Sequence, residues 1–477
     1  MKWCFLINNF QVLPEFFGKL ADEAIKRGDG CLVVFSSKIA EYEKKKFFPT
    51  GTKFISMVDW RIDNYQADKK EFFGVSWKDF FPFWERNPIL ELDYDTSIET
   101  TLQLVQFYQF IFEKEKPDVI VNEPPSGLGH LIAYDFANKH HVAYLAVADP
   151  RLDTTIIDVY DNKFTCSKYK KTFGQLVNGD MSEKEKEHAQ NFIKKFISHE
   201  FAPSAIGSSK IHFSQFGLIA HFLKRIKETH SSLLQYLSSR KKYKLFDSES
   251  EITLKLFFWA FFNAQKRKFR IFFQKRFFEA LPTRNEKFFL FPLHYQPEAA
   301  TDVFAIYYCD QLNTAQNIAF SLPFPYKLYV KEHPAGIGTR AEEFYEQLKR
   351  IPNVVLISPH ENVENVIKSS SGVVTLTSTL GLEAALAGKP VYVLGEVFYS
   401  YHPLCRQVLG FEDLKNTIEK DLANTPDTSK LADINTRFLT SYFRNTIPGN
   451  MAQATTKEDA NDYALIYQSL LNDFLKR

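Results

Sequence analysis

Short apolar runs alternate with amphipathic segments at the start of the chain. Strands are predicted where apolar residues follow one another, at Lys2–Ile7, Cys31–Phe35, Asp118–Val121 and Val142–Val147. Helices are predicted where apolar residues recur with helical spacing, at Gln11–Lys26, Thr101–Phe112 and Gly127–Lys139. Strands that alternate with helices in this way are typical of parallel βαβ units.

The same rhythm begins again near Phe288. Apolar runs that predict strands lie at Phe288–Pro292, Tyr326–Val330, Val354–Ile357, Gly372–Leu376 and Val391–Leu394, with helical patterns between them. The pattern therefore predicts an α/β fold with two doubly wound, Rossmann-like domains in tandem. Ligands of such domains bind at the carboxyl ends of the strands, so a cleft is expected between those ends of the two sheets.

These patterns also set the expected domain boundaries. The predicted N-terminal domain covers residues 1–285 and includes a mostly helical region at about 164–284. The predicted C-terminal domain covers residues 286–455. The last segment, 456–477, places aromatic and leucine side chains on one helical face, which predicts a helix that packs back on the N-terminal domain.

Composition excludes several classes of protein. The 59 basic and 57 acidic residues nearly balance, so overall charge does not predict nucleic-acid binding. The five cysteines are scattered without a Cys-x-x-Cys pair, which suits a reducing cytoplasm. No uncharged apolar stretch reaches the roughly 18 residues that a spanning helix needs, so a cytoplasmic location is expected.

One segment combines aromatic and basic residues. Lys255–Phe278 contains Phe258, Phe262, Phe269, Phe273 and Phe277 among six bases within Lys266–Arg276. One interpretation is a helix with a buried aromatic face and solvated charges. The other is a surface that rests on anionic lipid, which would make the protein peripheral to the inner membrane.

The strongest chemical signal lies at Gly372–Pro390. It has the pattern of a strand, a hydroxyl-rich turn and a short helix. Ser378 and Thr379 fall at the start of this helix, where free N–H groups and the helix dipole favour an anion such as a nucleotide phosphate. Glu383, one turn further on, could accept hydrogen bonds from ribose hydroxyls. The alternatives are that Ser378 or Thr379 is only an N-cap and that Glu383 is an exposed helical residue.

A second signal is the sequence Lys331-Glu-His333-Pro334 at the end of a predicted strand. Residues two apart on a strand share a face, so Lys331 and His333 are expected to point together. Pro334 cannot continue the ladder and keeps His333 extended. A cation and an imidazole are thereby predicted at the carboxyl end of the sheet, where they could neutralise phosphate charge.

A third group follows the predicted strand Phe288–Pro292. His294, Gln296 and Glu298 lie in the polar loop that leads into the next helix. They are therefore also expected at a carboxyl strand end. For Glu298 the alternative is that it simply favours the helix N-terminus.

Taken in order, PLHYQPE, VKEHP and TSTLGLEAALAGKPVYVLG resemble the capsule polysaccharide biosynthesis family, which includes bacterial Kdo transferases with the GT-B fold. The match is clearest over Lys287–His402. The resemblance implies a cytoplasmic glycosyltransferase with a nucleotide-sugar domain at its C-terminal end and an acceptor-side domain at its N-terminal end. It implies a CMP-linked donor and phosphate binding by His333, Pro334, Ser378 and Thr379, within a donor site that includes Gly381.

The N-terminal half supplies candidate catalytic residues. Glu123 follows the predicted strand Asp118–Val121 and precedes a Pro-rich loop, which makes it the candidate general acid/base. The next strand leads to Asp149 and Arg151, a second carboxylate and a cation that could hold an acidic sugar. Two such carboxylates suit displacement through a covalent glycosyl-enzyme, although either could instead be a structural cap.

The pair Asp93 and Asp95 has the Asp-x-Asp form of metal-dependent transferases. It precedes Thr96-Ser97 and a helical pattern, so helix capping is the better interpretation. Neither an essential metal nor another cofactor is predicted.

Several functions are compatible with these motifs. The leading one transfers Kdo or a related acidic sugar from a nucleotide sugar to a saccharide or lipid-linked acceptor in capsule or lipopolysaccharide biosynthesis. The alternatives are a sugar-nucleotide 2-epimerase, a polyol-phosphate transferase and a non-catalytic subunit that binds a nucleotide sugar.

Overall fold

The computed structural model describes residues 1–8, 14–87, 92–148, 152, 155–160, 167–197, 254–279, 286–424, 428–456 and 458–475. The chain divides into two compact units. The first is formed by Met1–Lys163, Pro203–Phe261 and Thr446–Arg477, and the second by Phe164–Ala202 and Phe262–Asn445.

The strands of the described residues are β1 (Lys2–Ile7), β2 (Gly30–Phe35), β3 (Lys53–Ser56), β4 (Val119–Asn122), β5 (Ala143–Ala148), β6 (Ile156–Tyr160), β7 (Phe288–Pro292), β8 (Lys327–Lys331), β9 (Val354–Ile357), β10 (Gly372–Thr375), β11 (Val391–Val393), β12 (Cys405–Gln407) and β13 (Ile447–Pro448).

The α-helices of the described residues are α1 (Pro14–Lys26), α2 (Lys38–Lys44), α3 (Met57–Asn64), α4 (Trp77–Arg86), α5 (Tyr94–Phe110), α6 (Leu128–Lys139), α7 (Ser167–Val177), α8 (Glu183–Ile197), α9 (Leu254–Gln274), α10 (Ala299–Asp302), α11 (Gln311–Ser321), α12 (Glu342–Lys349), α13 (Val363–Ser369), α14 (Thr379–Leu386), α15 (Phe411–Ala423), α16 (Leu431–Phe443) and α17 (Tyr463–Leu475).

Each unit is built on one sheet. In the first unit the strand order is β13-β6-β5-β4-β1-β2-β3. The five strands from β5 through β3 in this order are parallel, and β6 pairs antiparallel with both β5 and β13. In the second unit the order is β12-β11-β10-β7-β8-β9, and every pair is parallel. Two parallel-dominated sheets with helices between their strands confirm the predicted α/β class of tandem doubly wound domains, the GT-B type.

The alternation of side chains along central strands explains how each sheet is covered. In β1, Trp3 and Phe5 point to the face covered by α1 and α17, where the ring of Trp3 lies 4.7 Å from that of Tyr467. In β7, Phe289 and Phe291 enter the core of the second unit together with residues of α11, α12 and α15. The last helix thus covers the N-terminal sheet.

The division into units differs from the predicted boundary near residue 285. Helices α7 and α8 group with the second unit because they pack against α16. Aromatic pairs form this contact, with ring separations of 5.2 Å for Tyr169–Tyr442 and 5.4 Å for Phe192–Phe443. The apolar periodicity of α7 and α8 predicts that each helix has a buried face but not that this face packs against α16. From the sequence alone they were therefore grouped with the preceding domain.

The capping interpretation of Asp93 is confirmed. Asp93 is the N-cap of α5, and its carboxylate accepts a 2.8 Å hydrogen bond from the backbone N–H of Thr96. The helix begins seven residues before the predicted Thr101, because the polar first turn carries no apolar periodicity.

Candidate functional site

Strand order locates the point where a ligand would bind in the second unit. Strands β7, β8 and β9 extend in one direction from the centre of the sheet, and β10, β11 and β12 extend in the other. The order therefore reverses between β7 and β10. Loops that follow the two strands at such a reversal diverge and leave a crevice at their carboxyl ends. The loops in question begin at Leu293 and Leu376.

His294 joins these two loops. Its imidazole Nε2 accepts a 3.1 Å hydrogen bond from the backbone N–H of Thr377, across the reversal point. Its own backbone N–H and carbonyl are held by the side-chain amide of Gln311, and Arg340 also donates to the carbonyl. Burial lowers the pKa of His294 to about 3, so the ring is neutral and can accept at Nε2. His294 therefore positions the turn before α14.

Ser378 and Thr379 begin α14 as predicted. The Ser378 hydroxyl caps the helix by accepting from the backbone N–H of Leu380 at 3.2 Å, and the Ser378 N–H donates to the hydroxyl of Thr375 at 3.0 Å. Both Ser378 and Thr379 remain partly exposed. The positive end of the α14 dipole thus opens at the carboxyl edge of the sheet, which is an arrangement that favours an anion.

Gly381 has a packing role in this helix. A Cβ atom at this position would lie 2.4 Å from the Tyr399 hydroxyl oxygen and 3.1 Å from Thr375 Cγ2. The Tyr399 hydroxyl itself donates to the carbonyl of Ser378 at 2.5 Å. Only glycine allows the helix to approach this close, so Gly381 determines where the first turn of α14 lies.

Lys331 and Glu383 form a second part of the site. Lys331 is buried at the end of β8, and its ammonium donates to the carbonyl of Pro359 at 2.7 Å. Burial lowers the pKa of Lys331 to about 8, so the group is still mostly cationic at neutral pH. Burial raises the pKa of Glu383 to about 7, although the charge of Lys331 opposes the shift. An anionic ligand would therefore meet a cation and a carboxyl group that can become neutral.

His333 lies just beyond β8 and is exposed. Its Nδ1 accepts a 3.1 Å hydrogen bond from the backbone N–H of Ala335, so in the neutral ring the proton is on Nε2. Partial burial and the positive charges of Lys331 and Arg340 lower the pKa of His333. Pro334 fixes the turn in which this hydrogen bond forms. Because β8 ends at Lys331, the two side chains lie in different environments. Lys331 is buried, whereas His333 is exposed and presents an N–H donor.

Glu332 is a residue of this site that sequence reasoning missed. It is 1% exposed, and its carboxylate accepts hydrogen bonds from Arg340 Nη1 at 2.7 Å, the Tyr345 hydroxyl at 2.5 Å and the backbone N–H of His333 at 2.7 Å. This network fixes the loop that carries His333. A carboxylate directly after a buried strand was the available signal, since such a residue is rarely buried without partners.

Gln296 and Glu298 are placed differently from each other. Gln296 accepts from Gln311 at 2.7 Å and donates to the carbonyl of Cys309 at 2.9 Å, so it ties the loop to α11. Glu298 is exposed and is the N-cap residue of α10, with its carbonyl accepting from Thr301 and Asp302. Gln296 therefore maintains the loop, and Glu298 offers a carboxylate at its surface.

The first unit has its own reversal of strand order, between β1 and β4. Glu123 directly follows β4, and its carbonyl accepts from the buried hydroxyl of Tyr144 at 3.2 Å. Asn8, which follows β1, has its amide Nδ2 3.3 Å from Nε2 of His130 in α6. Glu123 and the contact between Asn8 and His130 are thus at the same edge. Asp149 and Arg151 lie outside the described residues.

His130 is a second residue that sequence reasoning missed. It is buried in the first turn of α6, and burial lowers its pKa to about 4. Its Nδ1 atom is buried and has no hydrogen-bond partner among the described residues. The histidine in the Gly-Leu-Gly-His sequence at a predicted helix start was the available signal. In the described parts of the chain, no group of three or more His, Cys, Asp or Glu side chains is arranged to hold a metal ion.

Two doubly wound, parallel-dominated sheets define a GT-B-type architecture. Residues 242–433 match the family described as capsule polysaccharide biosynthesis protein. This segment contains the loop of His294, the loop of His333 and the helix start at Ser378. The resemblance noted in these motifs is confirmed over this segment.

Solved structures that the chain resembles include two described as KpsC from Thermosulfurimonas dismutans. The β-Kdo 2,7-transferase is 12% identical, with 78% of this chain and 90% of that chain covered and a TM-score of 0.36. The β-Kdo 2,4-transferase is 13% identical, with coverages of 76% and 93% and a TM-score of 0.38. UDP-GlcNAc 2-epimerase from Neisseria meningitidis is 12% identical, with coverages of 99% and 100% and a TM-score of 0.25. No curated protein matches the chain by sequence.

Proposed function

We propose that the protein is a glycosyltransferase that moves Kdo or a related acidic sugar from a CMP-linked donor to a saccharide or lipid-linked acceptor in capsule or lipopolysaccharide biosynthesis. The observation that best supports this is the anion-binding arrangement at the carboxyl edge of the second sheet. There the start of α14, Lys331 and His333 lie within the segment that matches the family.

The donor phosphate would bind between these groups. The backbone N–H groups at the start of α14 and the Ser378 and Thr379 hydroxyls would donate to its oxygens, as would Nε2 of His333. Lys331 would add positive charge nearby. Such preorganised donors stabilise the charge that develops on a departing nucleotide, because they need no rearrangement as the bond breaks.

The remaining parts of the donor site have separate tasks. Glu383 would accept from ribose hydroxyls, and Glu298 would present its carboxylate at the rim. His294, Gln296 and Gly381 would act through the loops and helix that they hold in place. In the first unit, Glu123 would be the general acid/base, with Asp149 as the second carboxylate and Arg151 as a partner for an acidic sugar.

A panel of sugar nucleotides tests the proposal. The midpoint of thermal unfolding, Tm, is measured with CMP-Kdo, CMP-sialic acid and several UDP-sugars. We expect the CMP-linked acidic sugars to raise Tm, because a ligand at about 100 times its Kd stabilises the folded state by about 2.7 kcal/mol. A rise in Tm with UDP-sugars alone would mean that the donor is UDP-linked and not CMP-linked. No rise with any sugar nucleotide would contradict the proposed site.

Transfer is expected to be independent of divalent metal ions. Lys331, His333 and the dipole of α14 can together balance the leaving-group charge that a metal ion would otherwise balance. Activity is measured before and after EDTA treatment and after addition of magnesium or manganese. We expect the rate to stay within about twofold of the untreated enzyme. Loss of transfer in EDTA that either ion restores would show that the site needs a metal.

A further inference from the structure

One face of helix α9 forms hydrogen bonds within the second unit. Gln274 is fully buried, and its side-chain amide donates to the carbonyl of Arg340 at 2.8 Å and accepts from the N–H of Gly338 at 2.9 Å. Arg267 donates to the carbonyls of Ala335 at 2.8 Å and Ile337 at 3.0 Å. This face therefore holds the loop that follows His333 and Pro334.

The opposite face of α9 exposes phenylalanine rings. Phe262, Phe269 and Phe272 are 64%, 67% and 73% exposed, and Phe273 is 36% exposed. Ring centroids are 4.7 Å apart for Phe269 and Phe273 and 5.3 Å apart for Phe272 and Phe273. Exposed rings that contact one another form a continuous apolar surface, which is uncommon on a protein without a partner there.

For the rings that are described, this arrangement contradicts the interpretation of Lys255–Phe278 as a helix with a fully buried aromatic face. Phe277 is buried, as the first interpretation expected, whereas Phe262, Phe269 and Phe273 are at the surface. The side chain of Phe258 lies outside the described residues. The aromatic face is thus largely an exposed surface.

Exposed lysines flank the rings. Lys266, Lys268 and Lys275 are exposed, and no ion pair joins any of them to a described acidic residue. The arginines differ, since Arg267 is bound to loop carbonyls and Arg276 is paired with Glu342 at 2.8 Å. The surface that α9 offers is therefore apolar at its centre and positive around it, which calls for a partner that is apolar and anionic.

We propose that one surface of the protein, here called the α9 face, docks on an anionic phospholipid surface. The α9 face consists of Phe269, Phe272, Phe273, Lys266, Lys268 and Lys275. Aromatic rings enter the boundary between headgroups and acyl chains, and lysines bind anionic headgroups. None of the described helices, α9 included, is long and apolar enough to cross a membrane. The contact would thus be peripheral.

Charge disfavours a second copy of the chain as the occupant. A two-fold contact through the α9 face would bring two sets of three lysines together, and like charges repel most where water is excluded. An anionic membrane satisfies both the rings and the lysines. Docking would also place the loop of His333 near the lipid surface, because the two faces of α9 belong to one rigid helix.

Vesicle binding tests this proposal without requiring glycosyl transfer. The purified protein is sedimented with phosphatidylcholine vesicles that contain or lack phosphatidylglycerol, at low and high salt. We expect binding only with phosphatidylglycerol and weaker binding at high salt. Changing Lys266, Lys268 and Lys275 together to Gln should weaken binding about a hundredfold. Changing Phe269, Phe272 and Phe273 together to Ser should weaken it at least about tenfold.

Matched variants of the same unit control for lost charge and lost apolar surface. Lys184, Lys420 and Lys430 are exposed and are changed together to Gln, and the exposed Phe320 and Phe324 are changed to Ser. Both controls should bind like the parent, and Tm shows whether each variant is folded. The lysine variant keeps the test valid even if the phenylalanine variant does not fold.

Three results would overturn the proposal. The parent fails to sediment with phosphatidylglycerol vesicles at low salt, or the α9 variants bind as well as their controls. The third result is a parent that does not bind vesicles but forms a dimer in sedimentation velocity, while the phenylalanine variant stays monomeric. A second copy of the chain would then be the partner of the α9 face.

Discussion

Replacing Glu332 with Gln is expected to lower the free energy of unfolding of the second unit by about 3–5 kcal/mol, since removal of one partner leaves a buried charge uncompensated. The substitution keeps the size of the side chain but removes the charge that faces Arg340 at 2.7 Å. It also weakens the acceptor for the Tyr345 hydroxyl and the His333 N–H. Amide hydrogen exchange of the second unit, measured over a range of urea concentrations, gives the change.

The control is Glu342→Gln, in a neighbouring ion pair. Glu342 pairs with Arg276, which is largely exposed, and such surface pairs contribute about 0–1 kcal/mol. We expect a change within that range for the control. If Glu332→Gln also costs less than about 1 kcal/mol, the buried network does not hold the His333 loop as described.

Replacing Glu123 with Gln is expected to slow transfer by about 10²–10⁴, the usual contribution of a general acid/base. Glu123 follows β4 at the reversal point of the first sheet, and Tyr144 holds its carbonyl. Donor binding should be unchanged, because the proposed donor site lies in the second unit. Rates and donor affinity are measured on the same preparations, which separates catalysis from binding.

Glu71→Gln serves as the control because Glu71 is an exposed acid of the first unit. It should leave the rate unchanged. A Glu123→Gln enzyme that turns over within about threefold of the parent would assign the acid/base role to another residue, with Asp149 as the next candidate.

Sequence predicted central strands best. The runs at Lys2–Ile7 and Phe288–Pro292 form the central strands β1 and β7 with the predicted bounds, because strands covered on both faces are continuously apolar. The strands β3, β6, β12 and β13 were not predicted. Three of them, β3, β12 and β13, are short strands at a sheet edge, where one side of the ladder faces no neighbour and polar residues are tolerated.

Within the candidate site, sequence located the loops better than it located individual contacts. The helix start at Ser378 follows from local capping chemistry, which a sequence shows directly. The buried role of Glu332 depends on Arg340 and Tyr345, and only the folded chain brings them together. His294 was expected at a carboxyl strand end, and its hydrogen bond from the N–H of Thr377, which joins the loops after β7 and β10, is visible only in the folded chain.

The central claim is that the second unit binds the nucleotide phosphate at His333 and the start of α14. Titration calorimetry with the sugar nucleotide that raises Tm most, on the parent and on His333→Ala, tests it most directly. His360→Ala is the control, since His360 is another exposed histidine of the same unit. Loss of a charge-assisted phosphate contact costs about 1.5–3 kcal/mol, so we expect at least about tenfold weaker binding for His333→Ala and parental affinity for His360→Ala. Equal affinity of His333→Ala and the parent would contradict it.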